Sequence, residues 1–145
     1  VQARWRGQFN WLRTDVRAAY TALPGRAAAV IRTPPLLADV LLYYEGPLVK
    51  KSLFGQAGVQ VYSQADARTL GWQPATQQFV LQDRQLVRTY PQVDVFLAAD
   101  LRNVNLFLKM AHVNQGLPRN GYYVTAGYPQ LRRSFTFGVK WLFFD

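Results

Sequence analysis

The sequence predicts an all-β fold, an antiparallel up-and-down meander of about six strands, and three observations carry that prediction. Several stretches of about ten residues alternate apolar and polar side chains with period two, as half-covered strands do. The segments between them are alternately long and short. No run approaches the ~18 consecutive apolar residues of a membrane-crossing helix, because Asp39, Gln56 and Gln60 interrupt the most apolar stretches.

The first element is expected over 1–12, where Val1, Ala3, Trp5, Gly7, Phe9 and Trp11 share one face and Gln2, Arg4, Arg6, Gln8 and Asn10 the other. Further strands are expected at 36–46, 52–63, 92–101 and 104–113. The last is expected over 134–144, with Phe135, Phe137, Val139, Trp141 and Phe143 opposed by Thr136, Gly138 and Lys140. The pair 92–101 and 104–113 has a testable register. A two-residue turn at Arg102-Asn103 sets Leu101 against Val104, Ala99 against Leu106, Leu97 against Leu108 and Val95 against Met110. Every charge then falls on the opposite face, and a slip of one residue would destroy the match.

The connections are expected to run long (13–35), short (47–51), long (64–91), short (102–103) and long (114–133), with most Pro and Gly in the long ones. Long structureless loops are uncommon in compact soluble domains. Tight turns at one end and long loops at the other, on strands of ~9–11 residues, are the layout of a transmembrane β-barrel. The apolar face carries no charge, which fits a lipid-facing wall, where an Arg or Lys at mid-depth costs roughly 2–4 kcal/mol. The core face of a soluble protein would show the same exclusion.

Composition removes other classes. Cysteine is absent and histidine occurs once, His112, so disulfide frameworks, thiolate chemistry and His-cluster metal sites are excluded. A net charge of +9 suggests acidic partners. The chain opens on Val1-Gln-Ala-Arg with no basic-then-apolar leader, as a mature form or an internal cut would.

Three stretches, LLYYEGPLVKKSLFGQAGVQVY (41–62), YPQVDVFLAADLRNVNLFLKMAHVNQG (90–116) and GYYVTAGYPQLRRSFTFGVKWLFFD (121–145), resemble the C-terminal region of the β-barrel porins of Bacteroidota. The matching positions are Tyr43 to Gly46, Lys50-Lys51, Tyr90-Pro91, Asp94 to Phe96, His112 to Asn114 and Gly116. In the closing motif they are Tyr128-Pro129, Arg133, Phe135, Phe137-Gly138, Trp141, Phe143 and Asp145. Val49, Gln130 and Met110-Ala111 depart from the family pattern without disturbing strand alternation. The resemblance covers roughly 36–145, and 1–35 fits by pattern alone. It implies a bacterial outer-membrane location and a porin-like channel. Single-chain barrels start at about eight strands, so residues 1–145 are expected to be the C-terminal portion of one larger barrel domain whose N-terminal strands are missing.

On this reading Arg4, Arg6, Asp39, Glu45, Gln56, Gln60, Asp94, Asp100, Lys109 and Lys140 face the lumen, with Arg102 at a turn, and neither sign of charge dominates. Trp5, Phe9, Trp11, Phe135, Phe137, Trp141 and Phe143 face lipid or form an interfacial girdle, to which Tyr43, Tyr44 and Tyr62 are further candidates. Gly55 and Gly58 fall on opposite faces of one strand, where close backbone approach is the plain explanation. His112 falls on the outward stripe at the upper rim while Ser134 falls on the other face, so a Ser–His pair is not expected. No enzyme, cofactor or metal is expected.

The expected partners are outer-membrane lipid and, through the last strand, the barrel-assembly machinery. Loop arginines such as Arg26, Arg32, Arg68, Arg84, Arg88, Arg119, Arg132 and Arg133 suit lipopolysaccharide phosphates, though plain solvation is the favoured account of them. Nucleic acid is not expected, since Arg4 and Arg6 oppose the aromatic face of Trp5, Phe9 and Trp11 instead of sharing it. The competing assignments are a soluble lipocalin-like barrel enclosing an apolar ligand, and an outer-membrane barrel that serves assembly or secretion.

Overall fold

A computed structural model describes residues 1–49, 53–101, 103–117 and 123–143. In chain order the elements are β1 (Gln2–Phe9), β2 (Leu12–Tyr20), a single helical turn α1 (Arg26–Val30), β3 (Leu36–Val49), β4 (Leu53–Gln64), β5 (Gly71–Gln73), β6 (Gln78–Val80), β7 (Gln92–Leu101), β8 (Val104–Ala111), β9 (Tyr123–Thr125), β10 (Tyr128–Pro129) and β11 (Ser134–Trp141). One seven-stranded sheet runs β1-β2-β3-β4-β7-β8-β11, every neighbour antiparallel, and the short pairs β5-β6 and β9-β10 lie in the connections. The fold is an all-β meander. Its two outer strands, β1 and β11, do not pair with each other, so the sheet is open.

The sheet has seven strands where the alternation suggested six. Residues 12–20, assigned above to a long connection, form β2. Asn10 adopts φ 55°, which folds a two-residue turn with Trp11 and brings Leu12 opposite Phe9. Asn tolerates this left-handed backbone because its short side chain bonds locally. Asn10→Gly is expected to leave stability within a few tenths of a kcal/mol, whereas Asn10→Val should cost roughly 1–2 kcal/mol. The urea midpoint of the folded protein in vesicles checks both.

The register of β7 and β8 is the one the hydrophobic match demanded, Val95↔Met110 through Leu101↔Val104. Arg102 itself lies outside the described residues, as do 50–52, 118–122 and 144–145. Strand ends shift modestly: β3 extends to Val49, β8 stops at Ala111, and β11 stops at Trp141 with Phe143 beyond it. The added strand preserves the alternation of connections. The strand ends separated by the short stretches 10–11, 50–52 and 102–103 lie at one end of the sheet, and those separated by the long stretches 21–35, 65–91 and 112–133 lie at the other.

The sheet is also staggered. One line of paired residues runs Phe9–Leu12–Tyr44–Ala57–Leu97–Leu108–Phe137. It meets the β1–β2 turn at one side of the sheet but falls four residues short of Leu101, the last residue of β7, further across. Tilted strands of this kind are what closure into a barrel requires.

Among the described residues no large side chain is fully buried. Apart from Ala99 and the glycines Gly46 and Gly55, the buried positions lie at the long-connection end of the sheet or in the connections themselves, among them Val87, Tyr90, Asp94, His112 and Ala126. The long connections dock on one another there. Gly71 bridges to Ala126, Ala67 pairs with Val87, Thr69 Oγ1 accepts the Ala126 N–H, and Arg32 pairs with Asp83 at 2.7 Å. The apolar face of the sheet stays uncovered, with Phe135, Phe137 and Trp141 at 69%, 60% and 60% exposure.

Candidate functional site

Period-two geometry sorts the seven strands into two faces, and cross-strand pairing carries the assignment from one strand to the next. The first face holds Ala3, Trp5 and Phe9 on β1, Val16 and Ala18 on β2, Val40, Leu42 and Tyr44 on β3, and Ala57, Val59 and Val61 on β4. It continues through Val95, Leu97, Leu106 and Leu108 to Phe135, Phe137, Val139 and Trp141. Its only polar side chains within the paired registers are Thr14 and Ser63. It carries no charge.

All the charged strand residues lie on the second face. Arg4, Arg6, Asp39, Glu45, Gln56, Gln60, Asp94, Asp100, Lys109 and Lys140 are brought together there, as one surface. β2 adds Arg13, Asp15 and Arg17, which sequence reasoning assigned to a loop. Their own alternation with Leu12, Thr14, Val16 and Ala18 was the signal that could have found them.

These charges are organised in pairs. Asp15 is the hub of the first cluster. Arg4 grips it with two N–H donors, Nε at 3.0 Å and a shorter contact from Nη2, and Arg6 and Arg17 each approach it at 3.4 Å. Arg13 pairs with Glu45 at 2.8 Å. Gln60 donates to Asp39 at 2.9 Å. Three guanidinium groups thus share one carboxylate, leaving the β1–β2 side of the face net positive. Across the sheet the balance reverses toward neutrality: Lys109 pairs with Asp94 at 2.8 Å, and Asn105 donates to Asp100. Three open hollows lie along this face. One, of about 490 Å³, is bounded by Arg4, Arg17, Asp39 and Tyr62. Another, of about 480 Å³, is bounded by Arg6, Arg13, Asp15 and Tyr43. A third, of about 350 Å³, is bounded by Leu41, Gln60, Phe96, Phe107 and Lys109.

Aromatic side chains of this face cover glycines on the next strand. Phe107 lies over Gly138, and Tyr43 and Phe96 flank Gly58. Tyr43 and Tyr62, considered above for the girdle, therefore sit on the charged face, because Tyr43 pairs with Gly58 and Tyr62 with Asp39. Of the other aromatics, Trp5 and Phe9 are on the apolar face, and Trp11 lies in the β1–β2 turn, tilted against Tyr44 at 5.9 Å. Trp141 stacks on Phe143 at 5.2 Å. Phe9, Trp11, Trp141 and Phe143 thus lie at the short-turn end of β1, β2 and β11.

His112 departs from its expected place. It is not an outward rim residue; it is 2% exposed. Its φ of 57° ends β8, and the ladder resumes with the Val113 N–H on the Val93 carbonyl at 2.8 Å. His112 is thus an extra residue of the bulge kind, and a count of alternation through it fails. Its ring lies between the Tyr90 hydroxyl, 2.8 Å from Nε2, and the Leu131 carbonyl, 3.3 Å from Nδ1, while its N–H donates to Asp94 at 2.8 Å. Asp94 also accepts from Gln92 at 3.0 Å, and Gln92 accepts from Gln130. This network ties the 112–133 connection to the charged face. The described residues include no group of three or more metal-ligating side chains.

A family model described as putative porin matches residues 2–145. No curated protein and no solved structure matches the chain.

Proposed function

The chain belongs to that putative porin family, and from this premise we propose that it forms part of the wall of an outer-membrane channel through which small polar solutes diffuse. The observation that carries the reading is the separation of faces: every charged strand residue lies on one side of the sheet, and an uncovered, charge-free apolar surface lies on the other. Lipid covers the apolar face in this reading, and water fills the space beside Arg4, Arg6, Asp39, Glu45, Gln56, Gln60, Asp94, Asp100, Lys109 and Lys140. Backbone groups at the free edges of β1 and β11 cannot be left bare in hydrocarbon, so further strands complete the barrel. The role is non-enzymatic.

The soluble lipocalin-like alternative requires its apolar side chains to line an enclosed cavity. The hollows described above lie instead on the charged face, and the large apolar side chains are the exposed ones. That contrast favours the channel.

The test is electrical. The natural full-length protein, inserted in a planar bilayer, should open ohmic channels and migrate faster on a gel unboiled than boiled. A protein that folds, shows the heat-dependent shift and passes no current would instead be a plugged barrel, as an assembly or secretion partner would be. The selectivity should follow Asp15. Replacing it (Asp15→Asn) leaves Arg4, Arg6 and Arg17 without their shared counter-charge, and a charged lining biases permeation electrostatically. The reversal potential in a salt gradient should shift toward anions, with the direction reversed by Arg4→Gln and Arg17→Gln together.

A further inference from the structure

We infer that the junction of the three long connections is a binding site for a small acyl carboxylate, a negatively charged head on a short apolar body. This rests on the reading of the charged face as a solute path, since the site stands at that path's loop end. The hollow measures about 350 Å³ and draws on every long connection. Pro34 comes from the first, Leu70 and Phe79 from the second, Thr125 from the third, and Gln64 from the end of β4. Gln64 pairs with Leu37 in register with the charged face, so the hollow adjoins it.

Arg32 also lines this hollow and supplies its chemistry. Its side chain is only 12% exposed, and one Nη donates to Asp83 at 2.7 Å. Its Nε, however, is buried with no hydrogen-bond partner among the described residues. A buried guanidinium N–H left unsatisfied is costly, because the group loses water and gains nothing in return. The guanidinium fork is built to meet a carboxylate with two donors. Asp83 occupies only part of it, and Asp83 is itself 77% exposed, so it holds the arginine without enclosing it. The rest of the wall explains the apolar body. Pro34, Leu70 and Phe79 are apolar, and Phe79 is held in place by an edge-on contact with Trp72 at 5.0 Å. One charged anchor in an open hollow with a largely apolar surface, edged by the polar Gln64, Thr69 and Thr125 and at the small end of the usual volume range, suits a small ligand held at its head. A full lipid acyl chain exceeds that volume, which points to a free, short-chain solute.

Hexanoate is the probe, titrated against the natural full-length protein in detergent and followed by calorimetry and by Trp72 fluorescence, with Trp72→Phe as the optical control. Hexanoate should bind at least tenfold more tightly than either acetate, which lacks the apolar body, or 1-hexanol, which lacks the charge. Arg32→Gln should weaken hexanoate at least tenfold, with the heat-dependent gel shift retained as the sign of a folded barrel. Asp83→Asn keeps the guanidinium and removes its competitor, so hexanoate should bind as well or better. If Asp83→Asn loses binding as fully as Arg32→Gln, the ion pair is merely structural and the site is overturned. Equal binding of hexanoate and hexanol, or none by hexanoate, overturns it too. A protein that conducts but does not bind hexanoate defeats this inference alone. Arg32-dependent binding without conductance supports it and defeats the channel.

Discussion

Leu97→Arg should lower the stability of the protein in lipid vesicles by roughly 2–4 kcal/mol, the cost of a cation near the midplane of a barrel's outer wall. Leu97 is exposed on the apolar face, paired with Ala57 on one side and Leu108 on the other, well inside the strand ends. It touches no charge that could accept the guanidinium, because that face has none. Gln56→Arg places the same side chain on the charged face, between Glu45 and Ala98 in register. It should cost less than ~0.5 kcal/mol, as surface substitutions usually do. Reversible urea titration of both variants in vesicles measures the difference. Equal, small costs at the two positions would show that water covers both faces and would remove the lipid-facing assignment. The pair is informative because the same arginine is introduced on each of the two faces.

The second large effect is expected at Gly58. A methyl group there would meet the Tyr43 Cβ at 2.5 Å and the Leu42 carbonyl oxygen at 2.6 Å, with Phe96 at 2.9 Å. Two of these obstacles belong to the backbone or stand next to it, so they cannot swing aside. Gly58→Val should destabilise by about 1–3 kcal/mol, and truncating Phe96 to Ala should not restore the loss. Gly138 provides the contrast. Its three nearest obstacles are all atoms of the Phe107 ring, a side chain that can move or be removed. Gly138→Val should therefore be costly in the natural background and substantially rescued by Phe107→Ala. Urea midpoints for the two double-mutant cycles check this, since residues in direct contact couple and a carbonyl clash does not yield to side-chain truncation.

The strand pattern explains why so much of the fold was legible. Period-two alternation needs no tertiary information, because successive side chains of any strand point to opposite sides. Hence β7, β8 and β11 were readable, and the match of Val95 to Met110 through Leu101 to Val104 follows from alternation and a two-residue turn. β2 was equally legible in principle. Arg13, Asp15 and Arg17 alternate with Thr14, Val16 and Ala18, but three charges in five residues read as a loop. The turn that starts it lacks the usual Asn-Gly pair, and Trp11 follows Asn10 instead.

What lay beyond the sequence was the pairing of strands not joined by a tight turn the sequence could place, and the points where alternation breaks. The ten charged and amide residues could be assigned to a face one strand at a time. That Arg4, Arg6 and Arg17 converge on Asp15 required residues 12–20 to form a strand paired with β1. His112 was misplaced because its left-handed backbone inserts one residue into the ladder, and parity cannot be counted through such a residue. The junction of Arg32 with Phe79 and Thr125 joins segments tens of residues apart in loops that carry no period. The sequence by itself thus determined the strands, their faces and the separation of charge from apolar surface, since these are local consequences of the pleat. Only the tertiary structure decided which charges meet and where the long connections close on one another, since those contacts depend on strand order and loop docking.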